Sequence, residues 1–172
     1  HSRTHNVAID GELHVDVNTI FSSVAALHKQ ISGGYACVSL ISGYGILAFR
    51  DPNGIRPLIF GSREIDGETE WVVASESVAI HALGFEVVRD VEPGEAIFLT
   101  SAGQIFTQQC AEETHHSPCI FEHVYFSRPD SIIDGISVYQ ARLNQGQRLA
   151  ERILEQFPNH DIDAVIPVPD SG

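Results

Sequence analysis

A charged and aromatic segment in the C-terminal half of the chain is the first candidate for chemistry. Residues 125–131 read Tyr-Phe-Ser-Arg-Pro-Asp-Ser and follow an apolar run. Loops that leave a regular element often carry functional residues. Arg128 and Asp130 could serve a substrate, or they could form a structural salt bridge with each other. On the residues alone both interpretations remain open.

The closing residues form a second candidate. Pro169-Asp170-Ser171-Gly172 follow an apolar run that we expect to be a strand. Sheets of α/β proteins bind ligands at the carboxyl ends of their strands. The carboxylate of Asp170 and the hydroxyl of Ser171 could contact a metal or a ribose there. Such a string is more often a turn or a helix cap.

A third candidate combines charge with a forced turn. Residues 49–58 place Arg50, Asp51 and Arg56 around the string Asp-Pro-Asn-Gly. Asp opens such a turn, Pro presets φ and Gly closes it. We expect a tight hairpin whose charges pair with one another.

Other reactive side chains favour structural roles. His115 and His116 lie between Cys110 and Cys119, but this spacing fits no standard zinc site, so we expect two exposed linker histidines. Ser75 precedes a helix-like segment and is a natural N-cap. The sequence identifies no histidine partner for a serine, so no nucleophile–base pair is assigned.

One amphipathic helix is predicted near the N-terminus. Residues 1–15 are polar and without period, which is typical of a loop. A helix starts at about Asp16, and Asp16 or Asn18 can cap it. Its buried stripe is expected to contain Ile20, Phe21, Val24 and Leu27. Gly33-Gly34 ends it.

Short antiparallel strands dominate the middle of the chain. The predicted strands cover 36–41, 46–49, 58–60, 71–74, 87–88, 96–100 and 104–107. A charged connection is expected at 63–70 and a short helix at 75–83. A polar linker follows at 109–118.

After the linker the pattern changes. Residues 120–126 predict a strand, 127–135 a loop and 138–157 a long helix. The buried face of that helix would contain Leu149, Ala150, Ile153, Leu154 and Phe157. A buried strand over 164–168 follows, and this order is the start of an α/β unit.

Composition excludes several classes of protein. The chain has 172 residues, of which 43% are hydrophobic, enough for a substantial core. Ten basic against 23 acidic residues give a net charge of −13, which argues against a nucleic-acid partner. Neither an apolar run of about 18 residues nor a signal peptide is found, so no membrane partner is expected. Three cysteines without a CxxC pair indicate a reducing compartment.

Several strings, taken in order, resemble the amidophosphoribosyltransferase (glutamine phosphoribosylpyrophosphate amidotransferase) family. They lie at residues 34–38, 48–58, 73–79, 89–96, 118–131 and 166–171. The turn string Arg-Asp-Pro-x-Gly-x-Arg-Pro-Leu occurs widely in class II amidotransferases. The string Tyr-Phe-Ser-Arg-Pro-Asp-Ser is much more specific.

The resemblance implies an α+β / α/β architecture in two incomplete domains. Residues 1–115 match the C-terminal portion of an N-terminal-nucleophile domain, the layered αββα fold of class II glutamine amidotransferases. Residues 116–172 match the N-terminal portion of a type I phosphoribosyltransferase α/β domain. The first domain releases ammonia from glutamine. The second adds it to phosphoribosyl pyrophosphate, giving 5-phosphoribosylamine in the first step of de novo purine (IMP) biosynthesis.

The same resemblance identifies the chain as a middle fragment. It begins with His1 and contains no Met. The catalytic cysteine and the Val-Asp-Asp-Ser phosphoribosyl loop of the family have no counterpart in it. We therefore assign no catalytic residue and expect the 172 residues alone to catalyse neither half-reaction.

Five residues are assigned roles, four of them implied by the resemblance and that of Arg128 by its place in the charged loop. Tyr125 matches a tyrosine near the family's path for ammonia, and it is assigned to substrate binding together with Arg128 and Asp170. Ser171 matches a position that binds Mg²⁺, a cation that prefers hard oxygen ligands. Cys119 matches a ligand of a [4Fe–4S] cluster that some members hold and others lack, and a buried thiol is the favoured alternative.

The implied ligands are glutamine, phosphoribosyl pyrophosphate and Mg²⁺. Purine nucleotides are expected as feedback inhibitors, with a homo-oligomeric assembly in the cytoplasm. Two other classes stay open. One is a fragment of another class II glutamine amidotransferase, and the other is a non-catalytic binding or assembly module.

Overall fold

The computed structural model describes residues 7–9, 12–14 and 16–166. The chain divides into two compact units, His1–Cys119 and Ile120–Gly172. In chain order the elements are β1 (Val7–Ile9), β2 (Glu12–His14), α1 (Val17–His28), β3 (Ala36–Ile41), β4 (Gly45–Arg50), β5 (Ile59–Ile65), β6 (Glu68–Ala74), α2 (Ser77–Ala82), β7 (Glu86–Asp90), β8 (Glu95–Thr100), β9 (Ile105–Gln109), a π-helix (Glu122–Phe126), β10 (Ile132–Ile133), β11 (Ile136–Ser137) and α3 (Val138–Gln156). Within the described ranges, no helix combines the length and apolar character needed to cross a bilayer.

The predicted helix α1 is confirmed, and the preceding loop is wrong in part. Asp16 caps the helix, and its side chain accepts a hydrogen bond from the Asn18 amide at 3.0 Å. The helix ends at His28, before the predicted Gly33-Gly34. Upstream, β1 and β2 pair as an antiparallel hairpin where polar residues predicted only a loop. Backbone pairing can form without the apolar alternation that sequence patterns detect.

Two antiparallel sheets make up the first unit. One has the strand order β3-β4-β8-β9, and the other has the order β6-β5-β7. The strands predicted between residues 36 and 108 are all present. However, β5 and β6 run through the stretch 63–70 and turn at Asp66-Gly67, so the expected charged connection there is wrong.

The core lies on both faces of the first sheet. On one face, Ile20, Phe21 and Val24 of α1 pack against Phe49 and Phe98. Leu27, expected on the same buried stripe, is 37% exposed near the end of the helix. The opposite face contacts the second sheet through a cluster of Ala48, Leu58, Phe60, Val91 and Ile97. Neighbouring residues of β4 and β8 thus point to opposite faces, as the period of a strand requires.

Helix α2 covers the other side of the second sheet. Ile80 of α2 is fully buried, and a Cβ built at Gly61 of β5 would lie 2.6 Å from its side chain. The first unit therefore has the layer order helix, sheet, sheet, helix. The predicted N-cap Ser75 is wrong: the cap is Glu76, whose side chain makes no capping hydrogen bond.

The second unit contains the π-helix, the short hairpin of β10 and β11, and α3. The strand predicted over 120–126 is wrong, because those residues are helical. Part of the predicted loop 127–135 belongs to β10. Helix α3 is confirmed, but Leu149, Leu154 and Phe157 on its expected buried face are exposed within this chain. Residues 164–166 are not in a strand and Val165 is 91% exposed, while 167–172 lie outside the described residues.

Candidate functional site

An exposed aromatic cluster marks the segment that the sequence singled out. Phe121, Tyr125 and Phe126 lie on the helical stretch that ends at Phe126. The ring centroids of Tyr125 and Phe126 are 5.8 Å apart in an edge-to-face contact, and those of Phe121 and Phe126 are 6.4 Å apart. Tyr125 is 66% exposed. Large exposed aromatic rings that touch one another are typical of a binding surface.

The charged members of the segment pair with each other. Arg128 Nε lies 3.1 Å from Asp130 Oδ1, and Arg128 Nη2 lies 3.3 Å from Asp130 Oδ2. The hydrogen bond from Arg128 holds the pKa of the Asp130 carboxyl below its usual range. Both side chains are more than half exposed, so solvent screens the pair and its net contribution to stability is small. The guanidinium is therefore accessible to an anionic ligand.

The loop that follows is fixed to the start of α3. The Val138 amide donates to the Ser131 carbonyl oxygen at 3.0 Å, and the Tyr139 amide donates to the Pro129 carbonyl oxygen at 3.0 Å. The first amides of a helix lack intrahelical acceptors, so these carbonyls satisfy them. Val138 and Ser131 are at most 1% exposed.

Arg142 is a residue that the sequence reasoning missed. Its Nε donates to the His123 carbonyl oxygen at 2.9 Å, and its Nη2 donates to the Ser127 carbonyl oxygen at 2.8 Å. It lies one turn beyond Val138 on α3. No motif around it suggested a role, since an arginine in an amphipathic helix is ordinary.

Polar groups under the aromatic cluster are buried. Glu122, His123 and Ser127 are each at most 6% exposed. The Ser127 amide donates to the Glu122 carbonyl oxygen at 3.1 Å, and the Ser127 hydroxyl lies 3.4 Å from Glu122 Oε2. Among the described atoms, His123 Nε2 has no hydrogen-bond partner. This polar layer fixes the backbone beneath the exposed rings.

The remaining predicted site residues are not brought together. Asp170 and Ser171 lie outside the described residues. Cys119 is partly buried, and its amide donates to the Ile55 carbonyl oxygen at 3.3 Å. Across residues 7–9, 12–14 and 16–166, no group of three His, Cys, Asp or Glu side chains is placed to hold a metal ion.

The turn at residues 51–54 has a structural role. Arg50 and Asp51 are at most 1% exposed. The guanidinium of Arg50 donates to the carbonyl oxygens of Gly54, Arg56 and Val91 at 2.8–2.9 Å. The carboxylate of Asp51 accepts hydrogen bonds from backbone amides. The turn itself is present, since the Gly54 amide donates to the Asp51 carbonyl oxygen at 3.0 Å, but the expected tight hairpin is wrong because β4 and β5 lie in different sheets. Backbone groups are hydrogen-bonded to both charged side chains.

The histidines and cysteines around residue 115 do not form a reactive cluster. His115 and His116 are exposed, and the His115 amide donates to the Pro52 carbonyl oxygen at 3.0 Å. Cys110 is 6% exposed and packs beside α1. Burial raises the pKa of its thiol to about 11. A protonated, buried thiol is a poor nucleophile at neutral pH.

Comparisons with known proteins agree on one kind of enzyme. An amidophosphoribosyltransferase of Pseudomonas aeruginosa is 52% identical over 98% of this chain and 34% of its own length. One of Escherichia coli is 55% identical over 92% of the chain and 32% of its own length. The Saccharomyces cerevisiae enzyme is 47% identical over 92% of this chain and 32% of its own length. No protein-family model matches the chain.

Solved structures give the same result. A glutamine phosphoribosylpyrophosphate amidotransferase of B. subtilis, solved with ADP and GMP, superposes with a TM-score of 0.71 at 34% identity. That match covers 92% of this chain and 32% of the solved one. The chain thus spans about a third of the length of the relatives it matches. The family resemblance found in the sequence is confirmed.

Proposed function

Because this chain is related in sequence to amidophosphoribosyltransferases across 92–98% of its length, we propose that it contributes part of such an enzyme. The proposed reaction has two steps. Glutamine and water give glutamate and ammonia, and ammonia then attacks C1 of phosphoribosyl pyrophosphate. The C1–oxygen bond breaks, and the products are 5-phosphoribosylamine and pyrophosphate. The single observation that carries this proposal is the sequence identity of 52–55%.

The two compact units support an assignment to two domains. In the first unit, the order helix, sheet, sheet, helix is the layering expected for the C-terminal portion of a class II amidotransferase domain, here 1–115. We assign 116–172 to the start of a type I phosphoribosyltransferase domain. The match to relatives runs through both units, which favours this reading over another class II amidotransferase or a non-catalytic module.

Tyr125 and Arg128 are the described residues to which we assign substrate roles. The exposed rings around Tyr125 would form an apolar wall for the passage of ammonia, because an apolar surface excludes the water that would protonate or dilute it. The guanidinium of Arg128 would contact an anionic oxygen of phosphoribosyl pyrophosphate. To do so it would exchange Asp130 for the substrate.

Two inorganic groups follow from the family. Mg²⁺ would be held by Ser171, with Asp170 beside it binding substrate, and it would neutralise phosphate charge. Both residues lie outside the described part of the chain. A [4Fe–4S] cluster needs four thiolates, whereas this chain has three cysteines. Cys119 would supply one of the four ligands.

We also propose the regulatory setting of the family. Purine nucleotides would act as feedback inhibitors, and the enzyme would be a cytoplasmic homo-oligomer. One solved relative is complexed with ADP and GMP, which supports nucleotide binding.

The test is an assay of the protein expressed from the complete reading frame in which this sequence occurs. With glutamine, phosphoribosyl pyrophosphate and Mg²⁺ it should form glutamate and pyrophosphate in equal amounts. Ammonium salt should replace glutamine as the nitrogen donor. Failure to release pyrophosphate with either donor would contradict the proposal. The 172 residues alone should form neither product.

A further inference from the structure

The backbone beside Tyr125 is wound more widely than an α-helix. The Ser127 amide donates to the Glu122 carbonyl oxygen, five residues back, at 3.1 Å. In an α-helix the same amide would bond the His123 carbonyl oxygen, four residues back. Single π-turns are rare in proteins, but those that do occur are frequently found at functional sites. The winding leaves the His123 carbonyl without its ordinary donor.

Arg142 supplies that donor. Its Nε bonds the His123 carbonyl oxygen at 2.9 Å, while its Nη2 bonds the Ser127 carbonyl oxygen at 2.8 Å. A guanidinium holds its donors in a rigid planar fork, so one side chain fixes the separation of the two carbonyls. The two contacts span the final turn of the π-helix.

Arg142 is itself well placed to act as a rigid support. It is on α3, whose first amides are bonded to Pro129 and Ser131. Val138, one turn earlier on the same helix, is fully buried. Groups carried on a packed helix hold a geometry more accurately than groups carried on a loop.

We propose that Arg142 is a positioning residue that maintains the π-winding of residues 122–126. In this way it sets the orientation of Tyr125 relative to Arg128. When the two donors of Arg142 are removed, the His123 carbonyl oxygen can accept the Ser127 amide instead, and this bond forms an ordinary α-turn. The α-turn contains one residue fewer than the π-turn. The backbone after Ser127 would therefore rotate by about 100° relative to the backbone before it. Tyr125 precedes Ser127 in the chain and Arg128 follows it, so this rotation changes the orientation of the two side chains relative to each other.

This inference rests on the proposed function, in which Tyr125 borders the ammonia path and Arg128 contacts the phosphoribosyl substrate. It assigns Arg142 to the coupling of the two steps. Ammonia released from glutamine would escape more often before it reached C1. The rate with ammonia added from solution would fall less than the rate with glutamine, because added ammonia does not depend on a continuous path between the two sites.

The experiment uses the protein expressed from its complete reading frame, with Arg142→Gln and Arg142→Lys variants. Arg148→Gln is the matched control, since Arg148 lies on the same helix and forms an ion pair with exposed Glu151. The rate of pyrophosphate release with added ammonium serves as the reference for each variant. The main measurement is the ratio of pyrophosphate released to glutamate formed. We expect this ratio to fall at least fivefold in R142Q, to fall less in R142K, and to stay at the wild-type value in R148Q.

A crystal structure of R142Q supplies a second readout that a general loss of stability would not produce. The Ser127 amide should bond the His123 carbonyl in the variant instead of the Glu122 carbonyl. An unchanged ratio, or a lowered ratio with the π-turn intact, overturns the inference. If R142Q does not fold, R142K carries the same two measurements with the same criteria.

The failure of the inference and that of the proposed function are distinguishable. A wild-type protein that releases no pyrophosphate with either nitrogen donor contradicts the proposed function. A wild-type protein that couples the two steps, together with an R142Q variant that couples them equally well, contradicts only the role of Arg142.

Discussion

Tyr35 and Asp51 are hydrogen-bonded to each other in both directions. The Asp51 amide donates to the Tyr35 carbonyl oxygen at 2.8 Å, and the Tyr35 amide donates to Asp51 Oδ2 at 3.2 Å. The same carboxylate accepts the amides of Asn53, Ile55 and Arg56 at 3.0–3.1 Å. A fully buried carboxylate is tolerated because these donors replace the water it has lost. Asp51 therefore joins the residue that precedes β3 to the turn that follows β4.

Replacing Asp51 by Asn should destabilise the first unit. The amide group has one oxygen to accept hydrogen bonds, and its NH₂ group would face backbone donors. We expect a loss of about 3 kcal/mol in the free energy of unfolding, the scale for charged hydrogen bonds lost in a buried site. Urea unfolding followed by fluorescence of Trp71, the single tryptophan, measures it. Exposed Glu113→Gln is the control, and equal stability of the two variants would contradict the structural role of Asp51.

Two glycines should respond to alanine in opposite directions. Gly61 lies where the β5–β7 register shifts, and an added Cβ would come within 2.5 Å of the Glu86 carbonyl oxygen. Gly61→Ala should cost about 3 kcal/mol through this clash. Gly146 is inside α3, and an added Cβ there would meet nothing within 4 Å. Gly146→Ala should stabilise the helix by about 1 kcal/mol. Thermal unfolding compares the two, and a tolerated Gly61→Ala would contradict the close approach of β5 and β7.

Helix α1 and the strands of the first unit were predictable because their side chains follow the period of the element. Ile20, Phe21 and Val24 recur at helical spacing and are all buried. The charged stretch 63–70 hid two strands, because Arg63 and Glu70 face each other across the hairpin as an ion pair. Cross-strand pairing supplies a reason for charge in a strand that period alone does not show.

The segment 120–126 could not be predicted from its own residues. Its aromatic and β-branched residues favour a strand. Its winding is instead stabilised by Arg142, which lies 19 residues beyond His123 in the chain. The site residues Tyr125 and Arg128 were therefore found by motif, while the support beneath them required the structure.

A matched pair of variants separates the two interpretations of Arg128. If Arg128 only maintains its salt bridge, Arg128→Gln and Asp130→Asn remove the same contact and act alike. If Arg128 binds the substrate, Arg128→Gln should raise the KM for phosphoribosyl pyrophosphate about tenfold, equivalent to ~1.4 kcal/mol. Asp130→Asn should leave the KM equal or lower, because the guanidinium loses its competitor. Steady-state kinetics of the protein from the complete reading frame measures both values.

Cys110 should be the slowest of the three thiols to react. The thiolate is the nucleophile, and a pKa of about 11 leaves roughly one thiol in a thousand ionised near pH 8. Burial also raises the pKa of Cys37. Iodoacetamide labelling with peptide mapping should modify Cys119 first and Cys110 at least about tenfold more slowly. The difference should disappear in denaturant, and rapid labelling of Cys110 in the folded chain would contradict its buried position.

Stability should fall on mild acidification because of His28. Its Nδ1 lies 2.7 Å from the Tyr35 hydroxyl, and its ring stacks on that of Tyr35. Burial lowers the pKa of His28, although the Gly94 carbonyl and the charge of Asp51 oppose this effect. The folded state therefore binds a proton less readily than the unfolded state. Stability is fully present above the unfolded pKa of about 6.5 and is lost progressively as the pH falls toward the folded pKa.

The His28→Gln variant isolates this contribution. It removes the titrating ring, so its free energy of unfolding should decrease less than that of the wild type between about pH 7.5 and about pH 5.5. His115→Gln, at an exposed position, is the matched control variant. Urea unfolding at the two pH values gives the comparison. If wild type and His28→Gln lose equal stability, proton uptake at His28 is not linked to unfolding, and the burial of its ring against Tyr35 does not govern the acid response.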